Sequence, residues 1–180
     1  MHAVPVGSEW IHELKWDGWR IIARREGRLV RLWFRNGRDW SEAFPWIVDA
    51  LRRTPIEAVT IDGEAVCSLE DGRPDFHALR LKQSCREARL VAFDLLGVDG
   101  KDLRSQSLGE RRQRLAELLN GGTDALMFSS LVAGFEGPVL FRHTCAMGLE
   151  GIVSKRLDTP YRTGRCTSWR KIKCPRYRRL

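Results

Sequence analysis

The stretch from Trp19 to Phe34 constrains the fold most. Two β-prone runs, Trp19 to Arg25 and Leu29 to Phe34, flank Gly27. In the second run Val30, Leu32 and Phe34 alternate with Arg31, Trp33 and Arg35. A period of two belongs to a strand with one buried and one wet face, and the intervening glycine suits a hairpin turn. The chain therefore holds an antiparallel sheet that needs apolar cover on one face.

The remaining segments mix strands with helices. Trp10 to Lys15, Ala58 to Cys67, Leu90 to Leu96, Gly151 to Lys155 and Trp169 to Lys173 read as strands, with Asp62-Gly63 expected to interrupt the second. Asp99-Gly100 is a turn signal. Helices are expected over Phe44 to Arg52, Phe76 to Gln83 and about Pro138 to Met147, with Gly148 as the C-cap residue of the last. Ser107 and Glu110 form a capping box ahead of Leu108, Leu115, Leu118 and Leu119, which share one helical face. This pattern predicts an α+β fold with largely antiparallel sheets flanked by helices. No linker is visible, so residues 1–180 read as one domain.

A net charge of +8 suits a polyanionic partner such as nucleic acid, and equally suits plain solubility. The charge is densest at the C-terminal end, residues 170–180, in Arg170, Lys171, Lys173, Arg176, Arg178 and Arg179. No apolar run approaches a membrane span and no secretory signal is visible, so a cytoplasmic, nucleoid-associated protein without membrane contact is expected. Cys67, Cys85, Cys145, Cys166 and Cys174 are odd in number and form no C-x-x-C pair. Reduced thiols, with neither a zinc site nor a disulfide framework, are the expectation.

The strongest chemical signal is Lys15-Trp16-Asp17-Gly18-Trp19-Arg20. A lysine ending a strand, a glycine turn and then an arginine set two cations around one small pocket. Lysine attacks phosphorus only as the free amine, and a cationic neighbourhood or a metal favours that form. Read alone, the same residues also describe a charged turn.

The segment resembles the nucleophile motif of the covalent nucleotidyltransferases, which comprise DNA ligases, RNA ligases and capping enzymes. Further motifs of that family follow in order. Arg35-Asn36-Gly37 is similar to the element whose arginine contacts the nucleotide sugar and phosphate region, with Phe34 where the family usually has Ser or Thr. Asp62-Gly63-Glu64 resembles the element whose glutamate holds the ribose or a metal. Phe93-Asp94-Leu95-Leu96 resembles the element whose ring stacks on the base. Glu150-Gly151-Ile152-Val153-Ser154-Lys155 resembles a motif that implies metal binding by Glu150, base contact by Val153 and phosphate proximity for Lys155. In Trp169-Arg170-Lys171-Ile172-Lys173 the resemblance implies that Lys171 and Lys173 grip the α-phosphate. Each fragment alone has a plainer reading as core, turn or solvated face. Their shared order carries the resemblance.

The resemblance spans about Trp10 to Cys174, and WIHELKWDGWR, LDTPYRTGR and SWRKIKC are similar to the ligase domain of the bacterial end-joining enzymes called ligase D. Glu13 matches the position that reads the adenine amino group, which implies ATP rather than GTP. The resemblance implies an ATP-dependent DNA ligase. Lys15 would take AMP covalently, and AMP would pass to a DNA 5′-phosphate. Asp17 would orient Lys15 or a metal-bound water. Magnesium or manganese would be held by Glu150 or Glu64.

The expected substrate is nicked or broken double-stranded DNA. The OB-fold domain that such ligases carry after the last motif is expected to be absent, or supplied by another chain along with end-joining proteins. Two alternatives stand beside this reading. One is an RNA ligase or capping-type transferase. The other is an ATP- or DNA-binding module with weak catalysis. An NAD-dependent ligase is disfavoured, because its four-cysteine zinc site has no counterpart.

Overall fold

The computed structural model describes residues 3–68, 75–80, 87–120, 123–130, 136–164 and 166–178. In chain order it runs β1 (Trp10–Leu14), β2 (Trp19–Glu26), β3 (Leu29–Phe34), a 3-10 turn (Ser41–Ala43), α1 (Pro45–Arg53) and β4 (Ala58–Val66). Then come α2 (Phe76–Arg80), β5 (Arg89–Val98), β6 (Lys101–Asp102), α3 (Leu108–Leu119), β7 (Leu126–Phe128), α4 (Gly137–Ala146), β8 (Gly151–Arg156) and β9 (Trp169–Lys173).

The strands form two sheets. The large one has the order β3-β2-β4-β5-β6, with β7 parallel to β5, and the small one has the order β1-β8-β9. All other pairings are antiparallel. The fold is thus α+β, as the mixture of segments predicts. The β2–β3 hairpin turns at Gly27, whose φ of 56° lies in the left-handed region. On β3, Val30 and Leu32 are buried and Arg31 is exposed.

Helices cover one face of each sheet. Ile21, Ala23, Leu32, Ile61, Leu90 and Leu95 of the large sheet pack with Ile47 and Leu51 of α1 and Leu115 of α3 in the main core. The expected capping box starts α3, with both of its reciprocal bonds present. On the small sheet, Ile152 and Ile172 pack with Leu140 of α4, and Gly148 ends that helix with a φ of 73°. The remaining faces of the two sheets meet across a cleft.

Two expectations are corrected. β4 is not broken at Asp62-Gly63; it continues, with register shifts that leave Phe93 and Leu96 of β5 unpaired with β4. Gly63 permits this, because a Cβ there would lie 2.8 Å from the Val91 carbonyl. Cys145 and Cys174 are joined in a disulfide, their Cα atoms 5.4 Å apart, contrary to the expectation of reduced thiols. Packing of α4 on β8 and β9 brings its C-terminal end beside the residue after β9, a juxtaposition that cysteine spacing cannot reveal. β6, β7 and the 3-10 turn were also unanticipated, since each is too short to show a period. Cys85, Arg165, Arg179 and the end of the helix expected to reach Gln83 lie outside the described residues.

Candidate active site

The small sheet supplies one wall of the cleft. Its register aligns Glu13 with Val153 and Val153 with Lys171, and likewise Ile11 with Lys155 and Lys155 with Trp169. Alternate strand residues point to one side, so these residues share a face. Lys15 follows the end of β1, and its backbone N–H donates to the Gly151 carbonyl at 2.8 Å. Arg20, Glu64 and Phe93 of the large sheet line the other wall, and the cleft between them encloses about 670 Å³. A bulge re-aims the side chain it carries, and Phe93 occupies such a position.

At one end of the cleft the Lys15 ammonium donates to Glu150 Oε2 at 2.6 Å, and Lys173 Nζ lies 2.7 Å from Glu150 Oε1. Glu150 is buried and therefore needs a counter-charge, which Lys15 supplies with Lys173 beside it. Two glycines beside these residues let neighbouring backbone pack closely. A Cβ on Gly18 would overlap the Ala65 carbonyl, and one on Gly151 would overlap the Ile172 carbonyl. Lys171 lines the cleft, and burial, then the charges of Lys15 and Arg20, lower its pKa. Lys173 is largely exposed and contributes through Glu150.

At the other end Glu13 is buried among donors. Its Oε2 accepts from Lys155 Nζ at 2.7 Å and from Ser129 Oγ at 3.2 Å, and its Oε1 accepts from Arg112. The Lys155 ammonium sits 4.2 Å from the centroids of both Phe93 and Trp169, because Lys155 is paired in register with Ile11, one step along the same face from Glu13. Burial lowers its pKa, and the Glu13 charge opposes that shift. The Phe93 and Trp169 rings meet edge to face at 5.8 Å.

Arg20 makes a two-pronged ion pair with buried Asp62, at 3.0 and 2.6 Å, and its guanidinium stands 5.7 Å from the Phe93 centroid. Tyr161 donates to the same Asp62 at 2.8 Å. Behind them Asp94 and Arg111 form a fully buried pair at 2.7 and 2.9 Å. Burial raises the Asp94 pKa, and Arg111 works against the rise. Asp17 is buried and accepts from the Tyr177 hydroxyl at 2.6 Å. Arg35 is exposed at the cleft rim, next to Phe34.

Glu64 faces Arg20 across β2 and β4 and lines the cleft. Burial pushes its carboxyl up to about 7 against the pull of Lys15, Lys171 and Arg20. No side-chain hydrogen bond or ion pair to it occurs among the described residues.

A divalent metal fits this donor set in a restricted way. Among the described residues no three His, Cys, Asp or Glu side chains converge, so the protein can offer one or two carboxylates. Such sparse ligation suits magnesium or manganese, which complete their shells with water and phosphate. Glu64 is the more available carboxylate. A cation at Glu150 would have to displace a lysine.

Sequence reasoning missed Arg112, Asp62, Tyr161 and Tyr177 as partners of the cleft residues. For Arg112 a signal existed. Arg111 and Arg112 stand three and four residues after Leu108, on the stripe that Leu115 and Leu119 continue, and both are buried. Two arginines on the apolar stripe of a helix demand buried counter-charges.

None of the described helices is long and apolar enough to cross a membrane. Residues 4–173 match the family described as ATP dependent DNA ligase domain. The chain is 44% identical over 177 residues to the multifunctional non-homologous end joining protein LigD of Pseudomonas aeruginosa, covering 94% of this chain and 21% of that protein. It is 34% identical to LigD of Mycobacterium tuberculosis, covering 92% of this chain and 22% of that one. The chain therefore spans about a fifth of the length of these relatives. The crystal structure of the ligase domain of M. tuberculosis LigD superposes with a TM-score of 0.81 at 32% identity, over 96% of this chain and 58% of that one. A mycobacterial DNA ligase D complexed with ATP gives 0.80 at 32% identity, with the same coverage. With residues 4–173 matching the family and the backbone superposing on these ligase-domain structures, the chain belongs to the ATP-dependent DNA ligase domain family.

Proposed function

We propose that residues 1–180 form an adenylation domain that transfers AMP from ATP, through Lys15, to the 5′-phosphate of nicked or broken double-stranded DNA. The observation that carries this reading is the position of the Lys15 amine. It stands in a walled cleft with Lys171 nearby and a two-lysine carboxylate, Glu150, at its end.

In the first step the Lys15 amine attacks the α-phosphorus of ATP. A nitrogen–phosphorus bond forms, the bond to the bridging oxygen breaks, and pyrophosphate leaves with the electron pair. Glu150 Oε2, already bonded to the amine, is placed to hold the proton that Lys15 gives up. Lys171 and Lys173 are fixed cations that favour charge building on the α-phosphate. Adenine lies between Phe93 and Val153, with Glu13 toward its amino group, and Arg20 and Arg35 face the sugar and phosphate side. Lys155 holds Glu13. Asp17, tied to Tyr177, shapes the loop that follows Lys15.

Glu64 would hold a magnesium or manganese ion, with Glu150 joining it only where the ion displaces Lys15 or Lys173; when bound, the metal would polarise the phosphate. The DNA 5′-phosphate then attacks the lysyl-AMP phosphorus and Lys15 leaves. Finally an adjacent 3′-hydroxyl attacks the activated end and AMP leaves. In-line placement and charge neutralisation carry all three steps. An OB-fold domain and end-joining proteins are the expected partners for the last two.

Mass spectrometry after incubation with ATP and magnesium or manganese tests the reading. A mass gain of one AMP on the peptide containing Lys15 is expected. An unmodified Lys15 in protein that binds ATP would instead favour a binding module.

A further inference from the structure

We propose that Arg112 is a positioning residue that sets selectivity for a 6-amino purine, by fixing Glu13 relative to the Phe93 strand. The inference rests on the reading that Glu13 faces the base of the bound nucleotide.

Arg112 lies on α3 and is buried. Its guanidinium reaches both walls of the cleft at once. On the small sheet, Nη1 donates to Glu13 Oε1. On the large sheet, Nη1 also donates to the Phe93 carbonyl at 3.3 Å, and Nη2 to the Ser129 carbonyl at 2.7 Å. The group stacks on the Phe128 ring, 4.7 Å from its centroid, which limits its freedom. One planar cation therefore fixes the separation between the carboxylate and the strand whose ring would cover the base.

A carboxylate has about four acceptor positions. Lys155 and Ser129 use Oε2, and Arg112 uses one position on Oε1, while Glu13 still lines the cleft. The remaining position on Oε1 accepts an amino hydrogen and repels a carbonyl oxygen. A 6-amino purine satisfies it. A 6-oxo purine meets like charge, and a purine without a 6-substituent leaves it unmatched. A lysine at 112 would keep the charge but lose the fork that spans Glu13, Phe93 and Ser129.

Calorimetric dissociation constants for ATP and for purine riboside triphosphate, which lacks only the 6-amino group, test this on the full chain. The wild type is expected to prefer ATP by about 10- to 100-fold, the scale of a hydrogen bond to a charged group. Arg112→Met is expected to bring that ratio to within about threefold, with Arg112→Lys between the two. A wild-type ratio in Arg112→Met, or no preference in the wild type, overturns the proposal. If Arg112→Met does not fold, Arg112→Lys decides by the same ratio: a reduced ratio supports the proposal and an unchanged one overturns it. Wild-type protein that prefers ATP yet forms no lysyl-AMP would defeat the proposed function while leaving this selectivity role standing.

Discussion

Lys15 Nζ lies 2.6 Å from Glu150 Oε2, and this contact joins residues that are 135 positions apart in the chain. The side chain of Glu150 is 1% exposed, and its other oxygen is held by Lys173. Removing the carboxylate leaves two ammonium groups without their counter-charge. Removing Lys173 leaves the Lys15 pair intact. Glu150→Ala is therefore expected to cost about 2 to 4 kcal/mol of stability. Lys173→Ala should cost less than about 1 kcal/mol, because an exposed partner is already solvated. Urea unfolding of both variants checks the ordering, and equal losses would contradict it.

Phe93→Ala removes the ring that is expected to cover adenine. The KM for ATP should rise by about 5- to 100-fold, the range for loss of one base–aromatic stack, with a smaller change in kcat. Steady-state adenylation kinetics separate the two constants. An unchanged KM would assign the ring to packing against Trp169 and Lys155 alone.

Glu64 makes stability depend on pH. Its folded-state pKa is raised from 4.5 to about 7 by burial, so the native state holds a proton that the unfolded chain has released. The native protein therefore loses stability as pH rises from about 4.5 through 7. Glu64→Gln removes this contribution. The variant should gain stability relative to wild type across that window, as read by denaturant midpoints at successive pH values. A constant difference between the two proteins would refute the shift.

The bond between Cys145 and Cys174 closes a loop with a sequence separation of 29. Loop-entropy reasoning gives it about 3.6 kcal/mol of stabilisation. Reductant should lower the Tm of the wild type and leave that of Cys145→Ser unmoved. A reductant-insensitive wild type would mean that the bond does not form.

DNA binding should weaken steeply with salt, since phosphate contacts release counterions. Arg176→Ala and Arg178→Ala are expected to lower the slope of log affinity against log salt by about one each. An unchanged slope would move the DNA surface away from the C-terminal segment.

Local order was legible in the sequence. The alternation along β3, the capping box of α3 and the left-handed Gly148 are each signals contained within a few residues, and each appears in the fold. Glu13 with Lys155 and Lys15 with Glu150 are brought together by strand register, which depends on how β1 finds β8. Arg20–Asp62, Arg112–Glu13 and Tyr177–Asp17 span 42, 99 and 160 positions, and no local period encodes such pairings. The unbroken course of β4 had the same origin. Asp-Gly reads locally as a turn, and only packing of Gly63 against the β5 backbone keeps the strand continuous.

Lys15 is the residue proposed to carry AMP. Incubation with ATP labelled at the α-phosphate, with magnesium or manganese and then a denaturing gel, tests this most directly. Lys15→Ala, and ATP labelled at the γ-phosphate, run alongside. Label is expected from the α-phosphate only, and none in Lys15→Ala protein that remains folded. Label that persists in Lys15→Ala, or that arrives from the γ-phosphate, would contradict it.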